Sequence, residues 1–389
     1  MEKSPDEVLK QILIQSDERQ IRNLCSTNKR FSHLCQDDQF MQGVYHQKVE
    51  NTISPEIIAF KPQNMAWKEF YIRIYRLKNA LLKQIDPDIY CERGDLLEIR
   101  ILANLNPPIL PSYDGVNYAA GHGHLEVLKY LVSLGILPTS GTAIGAAREG
   151  KLEILKYLNS LGIKPERHGG DYAASRGHYE VVKYLVSLGI LPTQNGATWA
   201  ADNRHMDILK YLVSLDIFPS ARGPNSANTA ASNGYLDVLE YLISIGILPT
   251  IDGAREAAEN GHLAILQYLL SGYIEPDSSI ADEAAAGGYL DIIQYLVSRY
   301  PPILPTKDGA YQATIYGHLD VLKYIRSLGI ELTEKNANLS ARHGHLEILK
   351  YLVSLGIFPT RKAIRAAAQN EYSDIVDYLA SLNPPLLPK

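Results

Sequence analysis

From residue 123 onward, apolar and polar positions alternate with the period of a helix, and the whole pattern then returns with a second, longer period. In GHLEVLKYLVSLGILP, Gly123 to Pro138, a step of about 100° per residue puts Leu125, Val127, Leu128, Leu131, Val132 and Leu134 on a broad apolar arc. Glu126, Lys129 and Ser133 form a narrow polar stripe. So wide an arc predicts a helix covered on most of its sides. Tyr130 lies at the edge of the arc, and its copies are Tyr157, Tyr184, Tyr211, Tyr241, Tyr268, Tyr295, Tyr324, Tyr351 and Tyr378. Their intervals are 27, 27, 27, 30, 27, 27, 29, 27 and 27 residues. Self-similarity at such a period predicts supersecondary units stacked as a solenoid.

Each copy carries its own punctuation. Gly135, Gly162, Gly189, Gly246 and Gly356 enter the left-handed region cheaply, and a proline follows each three residues later, so the helix stops and the chain turns back. Asp216 stands in for the glycine in one copy, being one of the few side chains that tolerate that conformation. Ahead of this helix, paired alanines such as Ala119-Ala120, Ala146-Ala147, Ala173-Ala174 and Ala200-Ala201 predict a shorter helix with a small, buried face. Asn117, Tyr118, Gly121 and His122 fall on its other face. The unit is a helix, a tight turn, a second helix and a short return.

Composition changes this picture little: 46% hydrophobic and 21% charged over 389 residues is ordinary for a folded chain. No apolar run approaches the roughly 18 residues that span a membrane. Three cysteines cannot form a disulfide framework in a chain this long, which points to a reducing, intracellular compartment. Residues 1–85 hold 13 Lys and Arg against 10 Asp and Glu, a net +3, so the total of -5 leaves -8 on the remainder. That balance repels nucleic acid. The eleven histidines suggest a metal at first sight, but His124, His178, His205, His262, His318 and His345 share one repeat position. Ligands about 27 residues apart do not converge on one tetrahedral ion, and a turn-fixing hydrogen bond is the expectation. No nucleotide-binding, metalloprotease or nucleophile-elbow motif occurs, so no cofactor and no catalysis are expected.

The sequence Ala-Ala-x-x-Gly-His-Leu-Glu-Val-Leu-Lys-Tyr-Leu-Val at 119–132 resembles the ankyrin helix-turn-helix, over about residues 86–389. The period is 27 rather than the ankyrin 33, and the Thr-Pro-Leu-His opening is missing, which leaves little room for a β-turn finger and shifts binding to the first helix. The short form resembles ankyrin arrays of large DNA viruses. The fold class expected is all-α, an ankyrin-like solenoid of about ten or eleven repeats with a small amino-terminal helical domain.

That amino-terminal segment follows another pattern. Ser4 can cap a helix that has Pro5 first and Asp6 and Glu7 in its first turn, and Val8, Ile12 and Leu13 recur at helical spacing. With Asn23-Leu24, Lys29-Arg30-Phe31, Leu34 and Asp37-Asp38, residues 1–50 resemble an F-box. Trp67-Lys68-Glu69-Phe70-Tyr71 resembles the helix that often trails one, within a connector at 51–85. The F-box resemblance implies docking on a Skp1-like adaptor through Pro5, Val8, Ile12, Leu13 and Phe31. The bland alternative is a cap for the first repeat.

In the array, the framework is monotonous while the first-helix pairs vary: Asn117-Tyr118, Ile144-Gly145, Asp171-Tyr172, Thr198-Trp199, Asn228-Thr229, Arg255-Glu256, Asp282-Glu283, Tyr311-Gln312, Asn338-Leu339 and Arg365-Ala366. These positions are expected to be exposed, and Tyr118, Tyr172, Arg176, Trp199, Arg255 and Tyr311 to hold a protein target. The resulting expectation is a noncatalytic, monomeric substrate receptor of a ubiquitin ligase, acting in the host cytoplasm. A scaffold or decoy that binds a host protein without a ligase is the alternative. Six second helices carry acid and lysine at i and i+3, which predicts six solvated pairs. Arg222-Gly223-Pro224 and the Pro384-Pro385 close mark loop variations.

Overall fold

The computed structural model describes residues 4–52, 55–81, 86–105, 107–221 and 225–382. Among them the chain forms 28 helices and no strand. Arg222-Gly223-Pro224 and Pro384-Pro385 lie outside the described residues. The chain divides into two compact units, Met1–Thr193 and Gln194–Lys389.

The first unit opens with the helix Pro5–Gln15, capped by Ser4, whose Oγ accepts from Glu7 N–H at 3.3 Å. A capping box joins Asp17 and Gln20 at the start of Glu18–Thr27. Leu13, Ile14, Ile21, Phe31 and Val44 make one small core from these helices and their successors, Lys29–Gln36 and Asp38–Thr52. Cys25 and Cys35 are joined in a disulfide across the turn between the second and third helices, which corrects the reading of all three cysteines as reduced. Cys91 is free and buried.

A second core is shared between this segment and the first repeat. Tyr45, Val49, Phe70, Tyr71, Ile74 and Leu77 pack with Ile101 and Leu102 of the helix Leu96–Ala103. Complete burial of side chains of this size contributes about 1.5–3 kcal/mol each. Lys48 is buried here, and its ammonium donates to the carbonyl of Ile14 at 2.8 Å and to that of Ser16, with the Tyr71 ring 5.0 Å away. A cation therefore closes the negative end of the first helix. Burial lowers the Lys48 pKa.

Helix pairs follow. In the first unit they are Asp88–Arg93 with Leu96–Ala103, Tyr113–His122 with Leu125–Ser133, Ser140–Arg148 with Leu152–Ser160, and Arg167–Ser175 with Tyr179–Ser187. Seven more pairs, from Gln194–Asp202 with Met206–Val213 to Arg361–Gln369 with Ser373–Ala380, make the second unit. In the second helix Val127, Leu128 and Leu131 are fully buried, whereas Leu125, Val132 and Leu134 are half-buried. Paired alanines on the first helix are buried almost throughout, which lets neighbouring helices approach closely.

The tight turn inside each pair explains its glycine twice over. Gly150 has φ +70°, and a Cβ placed there would sit 2.6 Å from Nδ1 of His178 in the following repeat. The same ring donates from Nε2 to the Arg148 carbonyl at 3.0 Å. His124, His318 and His345 bond to Glu92, Ala286 and Ile315 in the same way, at 2.9, 3.0 and 2.7 Å. These histidines fix the turn of the preceding repeat and so tie consecutive repeats together within each unit.

Of the six expected acid-lysine pairs, Glu126–Lys129, Glu153–Lys156, Glu180–Lys183 and Glu347–Lys350 form, each at 2.7 Å. Asp207 and Asp320 do not pair with Lys210 and Lys323. Aspartate is one methylene shorter, and the lysines lie instead over Tyr241 and Tyr351 of the next repeat, 5.6 and 5.5 Å from the ring centroids.

Candidate protein-binding surfaces

Where the first position of a variable pair is Asp, Asn or Thr it is structural, which corrects the expectation that both positions are exposed. Asp171 is completely buried, and its carboxylate accepts from the N–H and the hydroxyl of Thr193. Asp88 serves Ser112 likewise in the same unit, and Asn117 accepts from Thr142 at 2.7 Å. In the second unit Thr198 serves Ser220, Asn228 serves Thr250, Asp282 serves Thr306, and Asn338 serves Thr360. A short polar side chain at this position reaches the residue that starts the next first helix. Burial raises the Asp282 pKa, and the Thr306 and Gly309 donors oppose it.

Tyrosine at the second position reaches solvent, whereas Arg255 and Tyr311 stand at the first position of their pairs. In the first unit Tyr118 and Tyr172 are 44% and 39% exposed, and between them Gly145 has open space where a Cβ would be. Arg176 is exposed one turn beyond Tyr172 and lies 3.5 Å from Glu149, which Arg148 also contacts at 3.0 Å. In the second unit Trp199 is half-buried. Tyr311 is half-buried beneath Lys335, whose Nζ is 3.7 Å from the ring centroid. Arg255 bridges Asp252 at 3.3 Å and Glu283 at 3.0 Å, and the Glu283 hydrogen bond raises its pKa. It borders an acidic cleft of about 470 Å³ lined also by Glu256, Glu259 and Asn228. Trp199, Arg255 and Tyr311 are thus more deeply engaged with their own unit than the two first-unit tyrosines.

The amino-terminal residues separate into two layers. Val8 and Ile12 are 47% and 41% exposed and, four residues apart, share a face of Pro5–Gln15 with the exposed Pro5. Leu13 and Phe31 are 0% and 5% exposed. They hold the first helix on its neighbours rather than present a surface, which corrects their expected place among contact residues.

Three features escaped the sequence pattern. The return loops expose an apolar row, Leu110, Leu137 and Leu191 in the first unit and Phe218, Leu248, Leu304 and Phe358 in the second. Asp202 has one carboxylate oxygen buried with no partner, and burial pushes its pKa up to about 6. His178 is shifted downward, chiefly by burial. Among the described residues no group of three or more His, Cys, Asp or Glu is placed to hold a metal ion, and no helix is long and apolar enough to cross a membrane.

Residues 171–252 match the family model "Ankyrin repeats (3 copies)", so the chain carries ankyrin repeats and its fold is an all-helical, ankyrin-like solenoid. Ankyrin repeats mark a protein–protein interaction module. No curated protein matches the sequence. Among solved structures, the human ASB11 ankyrin repeat domain is similar at 19% identity and a TM-score of 0.39, covering 49% of this chain and 100% of that one. The pentatricopeptide repeat protein PPR10, solved with an 18-nt psaJ RNA element, is similar at 11% identity and a TM-score of 0.34, covering 99% of this chain and 69% of that one.

Proposed function

We propose that this chain is a noncatalytic, monomeric substrate receptor: residues 1–50 dock an F-box-like surface on a Skp1-like adaptor, residues 51–85 connect, and the repeats of 86–389 hold a protein target for ubiquitin transfer. The observation that carries the reading is the exposed Pro5, Val8 and Ile12 face, backed by Leu13 and Phe31 and set on a chain whose remainder is a repeat array. Exposed aliphatic side chains on a helix anchored from below offer contact area at little entropic cost. In this reading the protein is of viral origin and works in the host cytoplasm.

A cap for the first repeat would satisfy the core shared by Tyr45, Phe70 and Ile101, but it gives Val8 and Ile12 nothing to cover. The decoy reading keeps the array and dispenses with the adaptor. Purified Skp1 titrated against the chain separates the two. Saturable binding that Val8→Glu with Ile12→Glu abolishes supports the receptor; no binding by the unaltered chain leaves the decoy.

A further inference from the structure

The last two described repeats form a cleft of about 820 Å³ lined by Arg342, His343, Lys362, Arg365, Ala366, Gln369 and Asn370. No carboxylate lines it. Arg342 and His343 end the helix Glu334–His343, while Lys362 and Arg365 come from Arg361–Gln369 in the next repeat. All four are exposed, and none takes part in an ion pair among the described residues. Between 334 and 371 the chain holds six Lys and Arg against three Asp and Glu, in an array that is acidic as a whole.

The same repeat position elsewhere shows how unusual this is. Arg255 and Arg365 are each the fifth residue of their helix. Arg255 finds Asp252 three residues earlier and Glu283 in the following repeat. At the place of Asp252, Arg365 has Lys362. Among the other described first helices, five carry an acid in the opening turn (Asp88, Asp114, Asp252, Asp308 and Glu334), which complements the positive end of a helix, and five carry none. Arg361–Gln369 opens with two cations and no acid. Among the described residues no carboxylate pairs with these cations. An anionic group from outside would meet three fixed cations, two of them guanidinium forks suited to carboxylates.

We propose that this cleft binds an acidic segment of a protein, one rich in Asp and Glu. The inference rests on the reading of the array as a target-holding surface and names the chemistry of that target. The acidic balance of the rest of the array disfavours a nucleic acid, whose backbone needs a longer basic track.

The test uses the full chain and a fluorescein-labelled Glu-Ser repeat peptide, with a Gln-Ser peptide and a single-stranded oligonucleotide of matched length as comparisons. Anisotropy should show binding of the Glu-Ser peptide that weakens with added salt. Lys362→Glu with Arg365→Glu should weaken it by at least about tenfold, while Glu256→Gln with Glu259→Gln in the acidic cleft should leave it unchanged. Circular dichroism establishes that the variants fold. Equal binding of Glu-Ser and Gln-Ser peptides would overturn the proposal, as would unaltered binding by the double variant. Tighter oligonucleotide binding that the same substitutions abolish would assign the cleft to nucleic acid and equally overturn it. Target capture through Tyr118 and Tyr172 is a separate readout, so failure here is distinct from failure of the receptor reading.

Discussion

The carboxylate of Asp171 accepts from the backbone N–H of Thr193 at 2.6 Å and from its hydroxyl at 2.9 Å. One side chain thereby fixes the return loop that closes the first unit. Asp171→Ala removes both acceptors and strands a buried N–H, so it should cost about 1–3 kcal/mol in denaturant unfolding. Asp171→Asn should cost less, because Asn228 and Asn338 already perform this role in the second unit.

Two glycines with similar backbone angles should respond differently to alanine. Gly135 has φ +83° and open space around it, whereas Gly150 has φ +70° and the His178 ring where a Cβ would go. Gly135→Ala should carry only the left-handed penalty, about 1–2 kcal/mol. Gly150→Ala adds a clash with a ring hydrogen-bonded to Arg148, so it should cost roughly 1–3 kcal/mol more, as overpacking does. Thermal melts of the two variants side by side read the difference.

Asp202 should make stability depend on pH. Its folded pKa of about 6 lies above the ordinary 3.8 because burial disfavours the charged form. The unfolded carboxyl ionises first, so the fold gains stability as pH falls below about 6 and loses it as pH rises through that value. Asp202→Asn cannot charge. It should be more stable than the parent by roughly 1 kcal/mol at pH 7.5, discounted because the residue is only half-buried, and the advantage should vanish near pH 4.

Lys48 ties the helix that carries Val8 and Ile12 to the rest of the amino-terminal core. Lys48→Met keeps the stem but abandons the Ile14 and Ser16 carbonyls. A loss of about 2–3 kcal/mol is expected for this charged hydrogen-bonded group. Hydrogen exchange should show it first in residues 5–16, with the repeats of the second unit unchanged.

The helix pairs were legible because buried leucines and turn glycines repeat with one spacing, and Asp216 with φ +60° obeys the rule set by the glycines it replaces. What the pattern hid were choices that look alike in sequence. Asn117 and Tyr118 are neighbours that can both hydrogen-bond, yet one bonds to Thr142 and the other faces solvent, since a first helix turns adjacent positions toward different neighbours. Lys48 looks like any surface lysine until the helices that bury it are assembled. Cys25 and Cys35 lie on different helices, and only the turn between them brings the sulfurs together. The basic cleft joins Arg342 to Lys362, in separate helices whose shared opening no periodicity announces.

We propose that the framework stacks the repeats while Tyr118 and Tyr172 select the partner. The test is quantitative affinity capture from eukaryotic cell lysate by the full chain and by Tyr118→Ala with Tyr172→Ala, with melting temperatures recorded for both. Capture of a target held by the parent should fall by at least about tenfold, as for aromatic hot spots, while the melting temperature hardly moves. Undiminished capture by a variant that melts like the parent would contradict it.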